Sequence, residues 1–170
     1  MYYDLTITQF TKMLGNLTAI LNKAAAHAEA KKFDVNVLLN SRLAPDQFNF
    51  IRQIQITCDT AKLGVARLTG KTDTVPVHAD TETTLTELQA RIQSVQEYLA
   101  TFTATDFAQA AEIKVTNPRW DGKHLTGYEF LIHHVIPNFY FHFSTAYAIL
   151  RHNGVDLGKK DYLGAMPYKQ

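Results

Sequence analysis

The sequence predicts an all-α protein: a four-helix bundle with a small β-hairpin set before the last helix. Three observations carry that prediction. Four long segments repeat apolar residues at spacings of three and four, the period of one helix face. The stretches between them are polar and rich in proline, glycine and threonine, residues that end helices. One short stretch, "EIKVT", alternates, and the turn "NPRWDGK" and "HLTG" follow it. That is a hairpin pattern, too small to stand without helices beneath it.

The first helix lies in "DLTITQFTKMLGNLTAILNKAAAHAEAKKF", where Phe10, Met13, Leu14, Leu17, Ile20, Leu21 and Ala24 form one stripe. Thr6 or Thr8 is its expected cap, and "EAKK" sets cations near its C-terminal end, where the helix dipole favours them. "DVNVLLNSRLAPDQF" has no useful helical period and reads as a loop packing Val37, Leu38 and Leu39 on the bundle. Pro45 and Asp46 then start a second helix, residues 46–69, with Ile51, Ile54, Cys58, Ala61, Val65 and Leu68 as its seam and Gly70 as its end.

"GKTDTVPVHADTETT" reads as a surface connection. Thr83 or Thr84 opens the third helix, whose seam is Leu85, Leu88, Ile92, Val95, Tyr98 and Leu99, ending near Phe102. The last helix is "GYEFLIHHVIPNFYFHFSTAYAILRHNG". Ile132, Ile136, Phe139, Phe143, Ala146 and Leu150 form one seam, and Leu131, Val135, Asn138, His142, Thr145 and Ile149 its neighbour. Apolar residues cover most of its circumference, so it should be largely buried. Pro137 should kink it, because proline lacks the amide donor and its ring meets the carbonyl of His133. Asn153-Gly154 stops it.

At 170 residues the chain suits one domain, 1–170, able to bury a core without staples. A net charge of +1 and the lack of a Lys/Arg stripe argue against a nucleic-acid partner. No run of about 18 apolar residues is present, so no membrane span is expected. The first residues lack the basic and apolar regions of a signal peptide, which makes the cytoplasm the expected location. Cys58 is the single cysteine and reads as a core residue. Phosphate loops, dinucleotide fingerprints, nucleophile elbows and the H-E-x-x-H pattern are all missing.

The chemistry sits in polar residues on buried faces. Asn138 and His142 are four apart on the last helix, and Gln55 and Asp59 are four apart on the second. Were the two helices neighbours, the four would converge as a pocket inside the bundle. They would then form a hydrogen-bond network that fixes helix register, or ligate a divalent metal: zinc, nickel or manganese. The first reading needs no cofactor. Trp120, beside Arg119 and Asp121 at the hairpin turn, would line a ligand pocket as its lid, make an interface, or cap the core under its loop.

The stretches "RLAPDQFNFIRQIQITCDTAK" and "NPRWDGKHLTGYEFLIHHVIPNFYFHFSTAYAILRHNGVDLGKKDYLG" resemble an uncharacterised bacterial family of the DinB/YfiT-like superfamily. The resemblance spans essentially the whole chain, and "HFSTAYAILRHNGV" is its most specific piece. It implies up-down-down-up topology and a homodimer. It also implies a metal held by one histidine of the second helix and two, four apart, of the last, serving thiol transfer or hydrolysis. Carried over, those positions fall near Gln55 and on Asn138 and His142, so only His142 keeps the ligand type. His134 would replace a ligand if the kink turned it inward. The expected function is therefore a small-ligand-binding or non-catalytic homodimer with a degenerate metal site. A metal-dependent hydrolase or thiol transferase is the alternative.

Overall fold

The computed structural model describes residues 1–169. Four helices, α1 (Gln9–Lys31), α2 (Phe50–Thr69), α3 (Leu85–Leu99) and α5 (Ile136–His152), form the bundle. A short α4 (Gly127–Phe130) precedes α5, and α6 (Lys159–Leu163) follows it. Contacts between side chains give the directions. Asn22 meets Gln89 and Thr11 meets Gln96, so α1 and α3 are antiparallel. Gln55 and Asp59 both meet Arg91, so the N-terminal half of α2 lies beside the middle of α3. Gln53 meets His142 and Thr60 meets Asn138, so α2 and α5 are antiparallel. This is the up-down-down-up bundle that the family resemblance implies, with α2 and α3 parallel and joined by a long crossover.

The predicted seams of α1, α2 and α3 form the core. Every named position is fully buried or nearly so, apart from Ile51, which is half-buried. Two helix starts differ from expectation. Neither Thr6 nor Thr8 caps α1; the chain already coils as a π-helical turn over Asp4–Thr8, and the Thr6 hydroxyl donates back to the Tyr2 carbonyl. Pro45 and Asp46 do not open α2. Asn49 does, accepting from the Arg52 amide at 3.1 Å through its side-chain oxygen, because an amide side chain satisfies a free first-turn donor directly. Residues Val35–Asn40 form a 3-10 turn that buries Leu38 and Leu39 but leaves Val37 66% exposed. α3 starts as expected on Thr84, which forms a reciprocal capping box with Glu87.

The hairpin pairs β1 (Lys114–Thr116) with β2 (His124–Thr126), Val115 opposite Leu125. Only Val115 of the pair is fully buried. Gly127 follows at once, and a Cβ there would lie 1.8 Å from the Ala110 carbonyl oxygen, so only glycine lets the hairpin close against the preceding segment.

Leu131–Val135 between α4 and α5 is a π-helical turn in which the Ile136 amide donates to the Leu131 carbonyl, five residues back. The wider turn takes up the steric problem of Pro137, since the chain no longer follows the i to i−4 pairing that would set the ring against His133. It also shifts the phase of the helix. Ile132, expected in the seam, is 38% exposed, whereas Leu131 and Val135 are buried. No helix among the described residues is long and apolar enough to cross a membrane.

Candidate functional site

α2 carries polar side chains on two sides, and they serve different neighbours. Toward α5, His142 Nδ1 lies 2.7 Å from Gln53 Oε1, both residues buried. The Asn138 amide donates to Thr60 Oγ1 at 2.7 Å. One helical turn further, a Cβ on Gly64 would come within 2.7 Å of Val135 Cγ1, so glycine sets the close approach of the helices here. Burial and the charge of Arg52 push the His142 imidazole down to about 4, so it is neutral near pH 7.

Gln55 and Asp59 belong mainly to the other side, which corrects the expected convergence of Gln55, Asp59, Asn138 and His142. Gln55 Nε2 donates to Glu82 at 2.8 Å. Asp59 pairs with Arg91 at 2.7 Å and Lys62 at 3.1 Å. Arg91 has a side chain only 1% exposed and also binds Asp80 at 2.6 Å and Glu82 at 2.9 Å. Burial disfavours its charge, but its hydrogen bond to Glu82 and the field of Asp59 outweigh that and raise its pKa. The stretch holding Asp80 and Glu82 is thus not a free surface connection. It is a strap tied to α2 and α3 through one buried guanidinium.

The strap also brings together Ser94, His78 and Lys62, which resemble a nucleophile, a base and an orienting group. Ser94 Oγ is 3.2 Å from His78 Nε2, and His78 Nδ1 is 2.7 Å from Lys62 Nζ. The proton positions run the wrong way for attack. An ammonium can only donate, so Nδ1 accepts and Nε2 carries the hydrogen toward Ser94. Burial, Lys62 and Arg91 lower the His78 pKa and keep the ring neutral. The imidazole therefore cannot take the serine proton, and the trio fastens the strap.

A cleft of about 410 Å³ runs between α2, the π-turn and the hairpin side. Arg52, Arg67, Arg119, Asp59, His134 and Asn138 supply polar groups to it, and Leu63, Phe130 and Val135 supply apolar ones. A second cavity of about 500 Å³ beside it is lined by Trp120, His124, His133 and His134, with Arg119 and His134 shared between the two. Trp120 meets Phe130 and His134 edge-on, at 6.2 and 6.3 Å between ring centres. His134 stacks on Phe130 at 5.3 Å, and burial with the field of Arg67 lowers its pKa. Of the anticipated pocket residues, Asp59 and Asn138 reach the cleft, Trp120 stands at its side, and Gln55 and His142 do not line it.

The residues at the implied metal positions are one imidazole, held by Gln53 at Nδ1, an amide donating to a threonine and a glutamine turned to Glu82. Neutral amides are weak ligands, and this set does not fit a divalent ion. Among the described residues, no three His, Cys, Asp or Glu side chains group so as to hold a metal. Cys58 is fully buried, and burial pushes its thiol up to about 12, which makes it inert.

Sequence reasoning missed Gln53, Thr60, Arg67 and Arg91. Gln53 and Thr60 are seven apart on α2, a two-turn spacing that shares a face with Asn138 and His142. The spacing of four between Gln55 and Asp59 drew attention to the wrong side.

A family model described as a domain of unknown function, DUF1993, matches residues 2–163. No curated protein matches the chain. Among solved structures, the chain is similar to a crystal structure of a DinB family member protein from Shewanella denitrificans. The identity is 68% over 100% of this chain and 96% of that one, with a TM-score of 0.98.

Proposed function

The chain belongs to the family of domain of unknown function DUF1993, DinB-like helical bundles, and from that premise we propose that it binds a small molecule without the help of a metal. One observation carries the reading. The ready-made cavity of about 410 Å³ lies between α2 and the π-turn, while Gln55 and Asn138 stand at two of the three positions where the resemblance implies metal-binding histidines. A cleft with apolar walls and a few convergent polar groups is the usual form of a small-ligand site. The protein acts in this reading as a non-catalytic binder in the cytoplasm.

The test is the metal content of tag-free protein by elemental mass spectrometry, after incubation with zinc, nickel and manganese, beside a thermal-shift screen of small organic compounds. Metal far below one per chain, with at least one compound raising the melting temperature, is expected. Near-stoichiometric metal that disappears in His142→Ala would overturn the reading and restore a metal-dependent hydrolase or thiol transferase.

The homodimer is part of the proposal and is supported by two exposed aromatic side chains near the Gln53–His142 pair. Phe48, 57% exposed, accepts the Gln53 amide on its carbonyl, and Phe141, 59% exposed, packs edge-on against His142. Sedimentation velocity on the protein and on Phe141→Ser checks it; a dimer that loosens in the variant is expected, and a monomer in both would remove it.

A further inference from the structure

The cleft carries more positive charge than the protein itself neutralises. Of its three arginines, Arg52 is paired with Asp80 at 2.5 Å. Asp59 is the one carboxylate in the lining, and Arg91 and Lys62 already hold it from outside the cleft. Arg67 and Arg119 have no carboxylate within ion-pair distance and no acceptor for their guanidinium groups among the described residues. Arg67 is half-buried. Its guanidinium lies over the Phe130 ring at 5.9 Å, and burial lowers its pKa. The Arg67 guanidinium nitrogens are not sealed from solvent, so they are free to donate to an anion that enters the cleft.

Two other polar groups in the cleft are arranged to donate or stay neutral. Asn117 gives its side-chain oxygen to the Arg119 amide at 3.0 Å, which leaves its NH2 group as a donor. His134, stacked on Phe130, adds no negative charge. The walls at Leu63, Phe130 and Val135 are apolar.

We propose that the cleft binds a small organic dianion, its two negative charges held by the Arg67 and Arg119 guanidinium groups and its apolar body laid against Leu63, Phe130 and Val135. This rests on the small-molecule reading above and adds the chemical class. Guanidinium forks match both carboxylate and phosphate oxygens. The shared chemistry is therefore two charges on oxygen, from a phosphate monoester or a dicarboxylate.

Trp120 is the single tryptophan, and it touches Phe130 and His134 of the cleft wall, so its fluorescence reports on occupancy. The full chain is titrated with phenyl phosphate, with phthalate and with the neutral benzamide, for the native protein, Arg67→Met and Arg119→Met. A saturable change is expected for at least one dianion, weakened by salt and weakened about tenfold or more by each substitution, with benzamide much weaker. The stronger dianion names phosphate or dicarboxylate as the source. Arg119 is exposed on the hairpin turn, so its variant keeps the fold and the test stands even where Arg67→Met is unstable. Benzamide binding as tightly as the dianions, or dianion affinity untouched in Arg119→Met, would overturn the proposal while leaving a small-molecule site in place. Saturable binding by no probe, together with a thermal-shift screen that yields no compound, would overturn both.

Discussion

Gln53 fixes the tautomer of His142. The Gln53 NH2 group donates to the Phe48 carbonyl at 2.9 Å, so its amide cannot turn over, and its oxygen is the atom 2.7 Å from His142 Nδ1. An oxygen acceptor requires Nδ1 to carry the hydrogen, which leaves the lone pair on Nε2. The buried pair locks α2 to α5 at one register.

Nitrogen-15 NMR at pH 7 should accordingly find His142 neutral, protonated on Nδ1 and bare on Nε2. Gln53→Glu sets a carboxylate against the ring and should raise its pKa from about 4 toward or above the ordinary value. A Nε2-protonated ring in the native protein would contradict the geometry.

Acid should weaken the fold in two stages. His142, His78 and His134 all have depressed pKa values through burial, helped by Arg52, by Lys62 and Arg91, and by Arg67 respectively. Above about pH 6.5 they are neutral folded and unfolded alike. As pH falls below that, the unfolded chain takes protons that the native state resists, so stability drops until the native pKa is passed, near 4 for His142. His142 alone is expected to contribute on the order of 1–3 kcal/mol to that loss. Further down, the strap fails. Burial would raise the Asp80 and Glu82 pKa values, but hydrogen bonds from Arg91 lower them overall, so their contribution is present above the ordinary carboxylate range and lost below it. Urea unfolding across this range, compared with His142→Gln, should show a shallower first stage in the variant.

Arg91→Met should cost about 3–5 kcal/mol by chemical denaturation, because Asp59 and Glu82 would keep their charge in a partly dry site with the main partner gone. Arg91→Lys should recover little. An ammonium cannot reproduce the fork that reaches Asp59 through one nitrogen and Asp80 and Glu82 through the other.

Gly64→Ala should destabilise by about 1–3 kcal/mol, since its methyl group would overlap Val135. Val135→Ala makes room for it, so the double variant should be more stable than the sum of the two losses allows. A strictly additive pair would mean that α2 and the π-turn are not in contact at this point.

Gly127→Ala should be worse, about 3 kcal/mol or more, because its obstacle is the Ala110 backbone carbonyl and cannot rotate away. The first readout to change should be Trp120 fluorescence, through loss of the hairpin's seat.

The bundle was legible because apolar periodicity is a property of the burial itself. The stripes from Phe10 to Ala24 and from Leu85 to Leu99 are the faces that pack. The phase slip at Ile132 was not legible, since a π-turn leaves no mark in the spacing of residues read at 3.6 per turn. The site was legible only in part. Asn138 and His142 were found because polar groups interrupted an apolar face. Arg91 sits on α3 at a place where a lone arginine reads as solvent-exposed, and only the strap's folding over it makes it interior. Arg67 and Arg119 are 52 positions apart in sequence, so only the folded chain brings them to one cleft.

The π-turn at Leu131–Val135 bears on insertion and deletion. A π-turn is one extra residue inside an α-helix, so removing a single residue there, exposed Ile132 for instance, leaves the helix before and after it in phase. With the turn gone, the ring of Pro137 again meets a carbonyl one turn earlier. The extra residue and the proline are therefore kept or lost together: deletion of Ile132 should be tolerated in a chain that also carries Pro137→Ala and poorly tolerated in one that does not.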